Sequence, residues 1–124
     1  MEEIEIKNLD QDDVLDIIKN FPLQLRGRKV LITNNSYEPD GNMILSNNQF
    51  SEIQYVVAVG DYLKSDDLQP GQKVFIDVER MVEYVFADDN SHEKVPRIKL
   101  KTIEVGDNVF SVIDDSLVLI KDNR

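Results

Sequence analysis

Hydrophobic residues in this chain come in short blocks, and only the first block has helical spacing. Val14, Ile17, Ile18 and Phe21 fall at i, i+3, i+4 and i+7, an apolar stripe on one face of a helix predicted over residues 10–20. Asp10 is its expected N-cap, and Asp12 and Asp13 occupy the first turn, where carboxylates suit the helix dipole. Pro22 prevents continuation. The stripe either packs on the chain's own domain or docks on a neighbour, and packing is the expectation. Ahead of the helix, Ile4 and Ile6 alternate with Glu and Lys, as in a short strand or an arm.

Beyond Pro22 the pattern changes to strands. Residues 28–33, 53–59, 73–78 and 81–86 are rich in Val, Ile, Tyr and Phe. Pro70-Gly71 marks a turn before the third of these. Residues 97–101 (Arg-Ile-Lys-Leu-Lys) alternate strictly, which predicts a strand with one wet face. Gly106-Asp107-Asn108 turns the chain back into Val109 to Ile113, a hairpin signal. Residues 116–121 close the chain as a last apolar strand. Several short strands at this spacing predict a mainly β domain, a small barrel or a sandwich.

One connection departs from this economy. Nearly twenty residues separate Thr33 from Ile53, against a usual ~4–6, and connections of this length commonly carry function. Most of it is polar (Thr33-Asn34-Asn35-Ser36-Tyr37-Glu38-Pro39-Asp40-Gly41-Asn42, then Ser46-Asn47-Asn48-Gln49), but Met43-Ile44-Leu45 lies at its centre. An exposed apolar tripeptide is a liability unless something binds it. The competing explanation is a short edge strand covering the core. Asn34, Asn35, Asn47 and Asn48 are expected to keep the connection solvated.

Composition narrows the function classes. A chain of 124 residues that is 41% hydrophobic suits one domain with a modest core. No apolar run approaches the ~20 residues of a membrane span and no basic segment precedes an apolar one, so a cytoplasmic protein is expected. The net charge of -10 argues against nucleic acid as partner. Arg26, Arg28 and Lys29 form a small basic cluster, expected to be a solvated approach to a strand. The chain has no cysteine, hence no disulfide, thiolate site or thiol nucleophile. Its single histidine, His92, stands with Asp88 and Asn90 at alternate positions. An EF-hand loop starting at Asp88 needs Gly at its sixth position and Glu at its twelfth, where this chain has Glu93 and Lys99. A solvated hairpin tip is the expectation. Asp66-Asp67 and Asp114-Asp115 sit beside turns, without the burial that separates the pKa values of catalytic pairs. No phosphate-binding glycine motif occurs. Nothing here reads as an active site, so no catalytic residue, metal or cofactor is expected.

The order of the pieces resembles the GroES family of co-chaperonins. Pro22-Leu23 and Arg28-Lys29-Val30-Leu31-Ile32 look like the family's opening strand. Gly41-Asn42 ahead of Met43-Ile44-Leu45 is similar to its Gly-Gly and Ile-Val-Leu loop. Gln54-Tyr55-Val56-Val57-Ala58-Val59-Gly60 and Pro70-Gly71-Gln72-Lys73-Val74-Phe75-Ile76 match its next two strands in order. Val109-Phe110-Ser111-Val112-Ile113, then Asp114-Asp115, then Leu117-Val118-Leu119-Ile120 match its end. The resemblance spans residues 22–121.

The resemblance implies a GroES-like β-barrel over residues 22–124, with residues 1–21 as an additional N-terminal arm and helix and a long loop between the first two barrel strands. It implies a homo-oligomeric ring, seven copies by family habit, that caps a large-ring chaperonin and assists protein folding, ATP being bound by the partner. Met43, Ile44 and Leu45 would contact the chaperonin, and Gly41 would act as the loop's hinge. Three departures stand out: the stretch at 61–69 is shorter than the family's roof hairpin, the segment 78–101 is longer than its counterpart, and the helix before Pro22 is extra. These departures, with the asparagine content, also fit a bacteriophage protein, and the alternative function is a virion structural component reusing the same barrel. The GroES-like domain of zinc-dependent alcohol dehydrogenases fits poorly, since this chain has no cysteine and no room for a nucleotide domain.

Overall fold

The computed structural model describes residues 8–36, 50–63, 68–86 and 92–122. One helix, α1 (Gln11–Ile18), is followed by eight strands: β1 (Lys29–Thr33), β2 (Ile53–Val59), β3 (Lys73–Ile76), β4 (Val82–Phe86), β5 (Lys94–Ile98), β6 (Lys101–Val105), β7 (Asn108–Asp114) and β8 (Val118–Lys121). Short 3-10 turns occupy Val78–Met81 and Asp115–Leu117. The fold is mainly β, as the alternation and β-branched content predict. The short strand or arm suggested by Ile4 and Ile6 lies outside the described residues.

α1 forms where its stripe and cap place it. The Asp10 carboxylate accepts from the Asp13 backbone N–H at 2.9 Å, and the Asp13 carboxylate accepts from the Asp10 N–H at 3.2 Å, a capping box with aspartate in the glutamate's place. Val14 is fully buried, and Ile17, Ile18 and Phe21 pack around it against Leu31, Val57 and Phe110. Phe21 meets the Phe110 ring edge-on with centroids 5.8 Å apart, a favoured aromatic geometry. The helix therefore packs on its own domain.

The strands form a six-stranded sheet in the order β6-β7-β1-β2-β3-β8, with every pairing antiparallel, and a separate β4-β5 hairpin. β2 serves both halves of the sheet: Ile53 to Tyr55 pair with β3, and Val56 to Val59 with β1 across a bulge at Leu31/Ile32. The six-stranded sheet cannot be flat. Four inter-strand steps separate β7 from β8, about 19 Å in a plane at ~4.8 Å each. Only Asp115–Leu117 joins them, and four Cα steps span at most about 14 Å. The sheet is therefore rolled so that the end of β7 approaches the start of β8. It rolls around one apolar cluster of Val30, Ile32, Val56, Val74, Ile76 and Ile113, sealed by Met81 and Phe50. The second cluster, under α1, uses the opposite face, which is why Val30, Leu31, Ile32 and Thr33 of β1 are all fully buried. Among the described residues, however, no ladder joins β6 or β7 to β8, so the sheet does not close into the barrel expected from the sequence.

Two boundaries differ from expectation for identifiable reasons. The alternation at 97–101 reads the faces correctly, with Ile98 and Leu100 on the core and Arg97, Lys99 and Lys101 exposed. Yet the chain changes sheets there: β5 ends at Ile98, β6 begins at Lys101, and the Lys99 N–H bonds Met81 O. β3 stops at Ile76; the Asp77 N–H still bonds Leu117 O beside β8, and a 3-10 turn then buries Met81.

Two glycines fit close contacts. A Cβ at Gly60 would overlap the Gly27 carbonyl, where the Gly60 N–H bonds Lys29 O at 2.8 Å. Gly71 has φ +89°, and a Cβ there would lie 2.8 Å from a Leu15 methyl. Gly71 also ties α1 to the sheet, because Gln11 Nε2 donates to its carbonyl at 3.0 Å. Gly71→Ala is expected to cost about 1–2 kcal/mol from the left-handed backbone, since the Leu15 methyl can give way. Urea unfolding checks this.

Candidate functional site

Met43, Ile44, Leu45 and Gly41 lie outside the described residues. What the structure defines is the frame from which residues 37–49 depart and to which they return. Ser36 and Phe50 form an antiparallel bridge, and the Ser51 N–H bonds Asn35 O at 3.0 Å. The two ends of this stretch are thus held side by side. Phe50 is only 9% exposed and anchors the return in the main core.

A buried amide locks the frame. Gln54 is fully buried, an inward-facing polar residue in an otherwise apolar strand. Its Oε1 accepts from Thr33 Oγ1 at 2.6 Å and from the Asn35 N–H at 2.9 Å. Its Nε2 donates to Asn35 O at 2.9 Å and Ser51 O at 2.8 Å. Both amide hydrogens and two lone pairs on the oxygen are used, so burial leaves this group satisfied. Thr33 Oγ1 also accepts from the Tyr55 N–H at 3.0 Å. Such a saturated network specifies one geometry, because any slip would orphan several buried groups together.

The segment entering α1 forms the frame's third member. Asn35 Nδ2 donates to Leu9 O at 2.7 Å and its Oδ1 accepts from the Leu9 N–H at 2.8 Å. Asn8 Nδ2 donates to Ser36 O at 3.0 Å and its Oδ1 accepts from the Ser36 N–H at 2.9 Å. Each asparagine side chain imitates a peptide group, so a strand-like ladder is built from side chains. Asn34 Oδ1 accepts from Ser111 Oγ at 2.8 Å, fastening the frame to β7. Asn34 and Asn35 are therefore structural, contrary to the solvating role expected from sequence. Beside this ladder lies an open cleft of about 530 Å³, bordered by Asn8, Leu9, Asp13, Ser36, Ile53 and Tyr55.

Other sequence candidates fall elsewhere. Arg28 and Lys29 meet Asp115 and Asp114 at 3.0 Å and 2.6 Å. The basic cluster and one acidic pair are thus partners across the β1–β7 register, where Lys29 stands opposite Asp114. These exposed ion pairs are worth at most about 1 kcal/mol each. His92 is exposed just ahead of β5, while Asp88, Asn90, Asp66 and Asp67 lie outside the described residues. Among the described residues no three His, Asp or Glu side chains gather to hold a metal ion, and no helix is long and apolar enough to cross a membrane.

Gln54, Asn8 and Phe50 were not legible as site residues. The one available signal was an uncharged amide at an inward position of an apolar strand. The chain matches no protein-family model, and no curated protein or solved structure is significantly similar to it.

Proposed function

We propose that the chain is a GroES-type co-chaperonin that caps a large-ring chaperonin through Met43, Ile44 and Leu45. The observation that carries this reading is the frame: a stretch of thirteen residues with an apolar tripeptide at its centre begins and ends at one clamped point. The rolled six-stranded sheet is, on this reading, the counterpart of the family's barrel, and Gly41 the hinge ahead of the tripeptide.

The energetics suit a reversible cap. Burying three such side chains yields about 5–9 kcal/mol gross, at ~1.5–3 each. Ordering the segment removes about 2–5 of that. A single copy then binds weakly, and several copies on one ring bind tightly through effective concentration. Size exclusion with light scattering, with and without a large-ring chaperonin and ATP, tests the proposal. Nucleotide-dependent co-elution supports it, and a chain that ignores the chaperonin overturns it.

One observation favours the second reading, a virion structural protein. β8 is an edge of the six-stranded sheet among the described residues, and its Leu119 and Ile120 are 61% and 59% exposed. An apolar edge is a template for lateral pairing. Extended assembly in the absence of any chaperonin would support that reading.

A further inference from the structure

Residues 8–21 form a strap over the face of the sheet opposite the main cluster, and it is fastened in two ways. Along its length Leu9 and Val14 are buried, and Ile17, Ile18 and Phe21 partly so, against Leu31, Val57 and Phe110. At its start Asn8 and Leu9 exchange four hydrogen bonds with Ser36 and Asn35. The frame therefore has two halves. One is internal to the sheet, Gln54 with Thr33, Asn35 and Ser51. The strap supplies the other. Both meet at Asn35, whose backbone serves Gln54 and whose side chain serves Leu9.

The strap does not hold its shape alone. α1 has eight residues, fewer than the ~12–15 at which an isolated helix becomes marginal in water. Lifted from the sheet it unwinds, so docking and helix formation are one event. Its first turn is tied back to β2 as well: Gln11 Nε2 donates to Gly71 O, and the Gly71 N–H bonds Val56 O at 2.7 Å. After the strap, Pro22, Leu23 and Gln24 are all exposed, which gives the chain a place to bend without disturbing β1.

We infer that strap and frame open and close as one unit, so that the spacing of Ser36 and Phe50 and the docking of α1 control each other. The Asn35 side chain is aimed at Leu9 because its backbone is held by Gln54 and by the Ser51 N–H. Ser36, the next residue, has its N–H and C=O on Asn8. Loosening either half thus removes partners from the other, and such coupling is reciprocal. A partner that draws Ser36 away from Phe50 releases α1 and bares the apolar surface of Leu31, Val57 and Phe110. One that holds them together secures the helix. The device does not rest on the chaperonin reading, whose failure would leave the coupling intact.

Native-state amide exchange on the full chain, followed over low urea concentrations, tests it. The N–H groups of Leu9, Val14 and Ser36 are expected to share one opening free energy and one urea slope. Both should be smaller than at Leu31 and Val57, since the slope scales with the surface exposed. Asp10→Ala, at an exposed position, removes a cap that lies within the strap itself. It should accelerate exchange at Ser36 as much as at Val14, by about fivefold, the scale of a lost N-cap. Thr33→Val removes a hydroxyl that serves Gln54 and Tyr55, in the sheet's half of the frame. It should accelerate Val14 by the same factor as Ser36. Separate urea slopes for Ser36 and Val14 would overturn the inference, as would a Ser36 rate unmoved by Asp10→Ala. Strap amides that open only together with Leu31 and Val57 would overturn it too, because the strap would then be no unit of its own.

Discussion

Replacing Gln54 with leucine is expected to destabilise the domain by about 3–5 kcal/mol, although the volume hardly changes. The substitution removes four hydrogen bonds at once. The Thr33 hydroxyl and the Asn35 N–H lose their acceptor, and Ser51 O loses its donor, inside a site with no exposure at Gln54. Each buried group left unpaired costs about 1–3 kcal/mol. Asn35 O keeps the Ser51 N–H, and the added apolar burial offsets part of the loss. Urea unfolding measures the effect. Amide exchange at Asn35 and Ser51 should accelerate more than at Leu31 or Val57, because the frame opens before the sheet does. A loss below about 1 kcal/mol would mean that water takes over the amide's role and that Gln54 is not the lock.

How far this architecture could be read in advance depended on the range of the interaction. α1 was legible because its stripe, cap and terminating proline all lie within a dozen residues and agree with one another. β2 was legible residue for residue because a seven-residue run rich in β-branched and aromatic side chains, broken only by Gln54 and Ala58, suits a strand. β5 and β6 were not separated, because the sheet change at Lys99-Leu100 depends on which distant strand lies alongside, β4 up to the bond from the Lys99 N–H to Met81 O and β7 from Lys101 on, while the alternation continues undisturbed through it. Barrel closure is similarly non-local. It depends on which edge meets which, and no local pattern distinguishes a rolled open sheet from a closed one.

The candidate site divides along the same line. The apolar tripeptide was visible as a composition break within a polar run. The frame that brackets it was not visible, since Asn8 and Asn35 look like solvent-facing amides until the fold brings them to Ser36 and Leu9, and only the inward position of Gln54 in an apolar strand gave a signal. Asn35 offers the clearest case: in sequence it belongs to a run of polar residues that suits a flexible connection. In the structure its side chain and backbone make bonds to Leu9, Ser51 and Gln54. Ion pairing was likewise hidden, because Arg28 and Asp115 are 87 positions apart.

Ile44→Asp is expected to abolish capture by a large-ring chaperonin while leaving the domain folded. Losing the isoleucine forfeits about 1.5–3 kcal/mol per loop, and desolvating a carboxylate in an apolar groove adds several more. On a ring the deficit recurs in every copy, so the avidity that makes weak loops hold together collapses multiplicatively. The affinity loss should exceed a thousandfold and appear as complete loss of co-elution in the presence of ATP. The proposed contact requires the fold to be spared, with the core cluster next to the frame still held by Phe50, Val56, Val74 and Ile113. Thermal unfolding should shift by no more than about 2 °C, the scale of a few tenths of a kcal/mol in a domain of this size. An unfolded variant would instead make Met43-Ile44-Leu45 part of the core. A folded variant that still co-elutes with the chaperonin would move the contact to another surface and leave the tripeptide without a role.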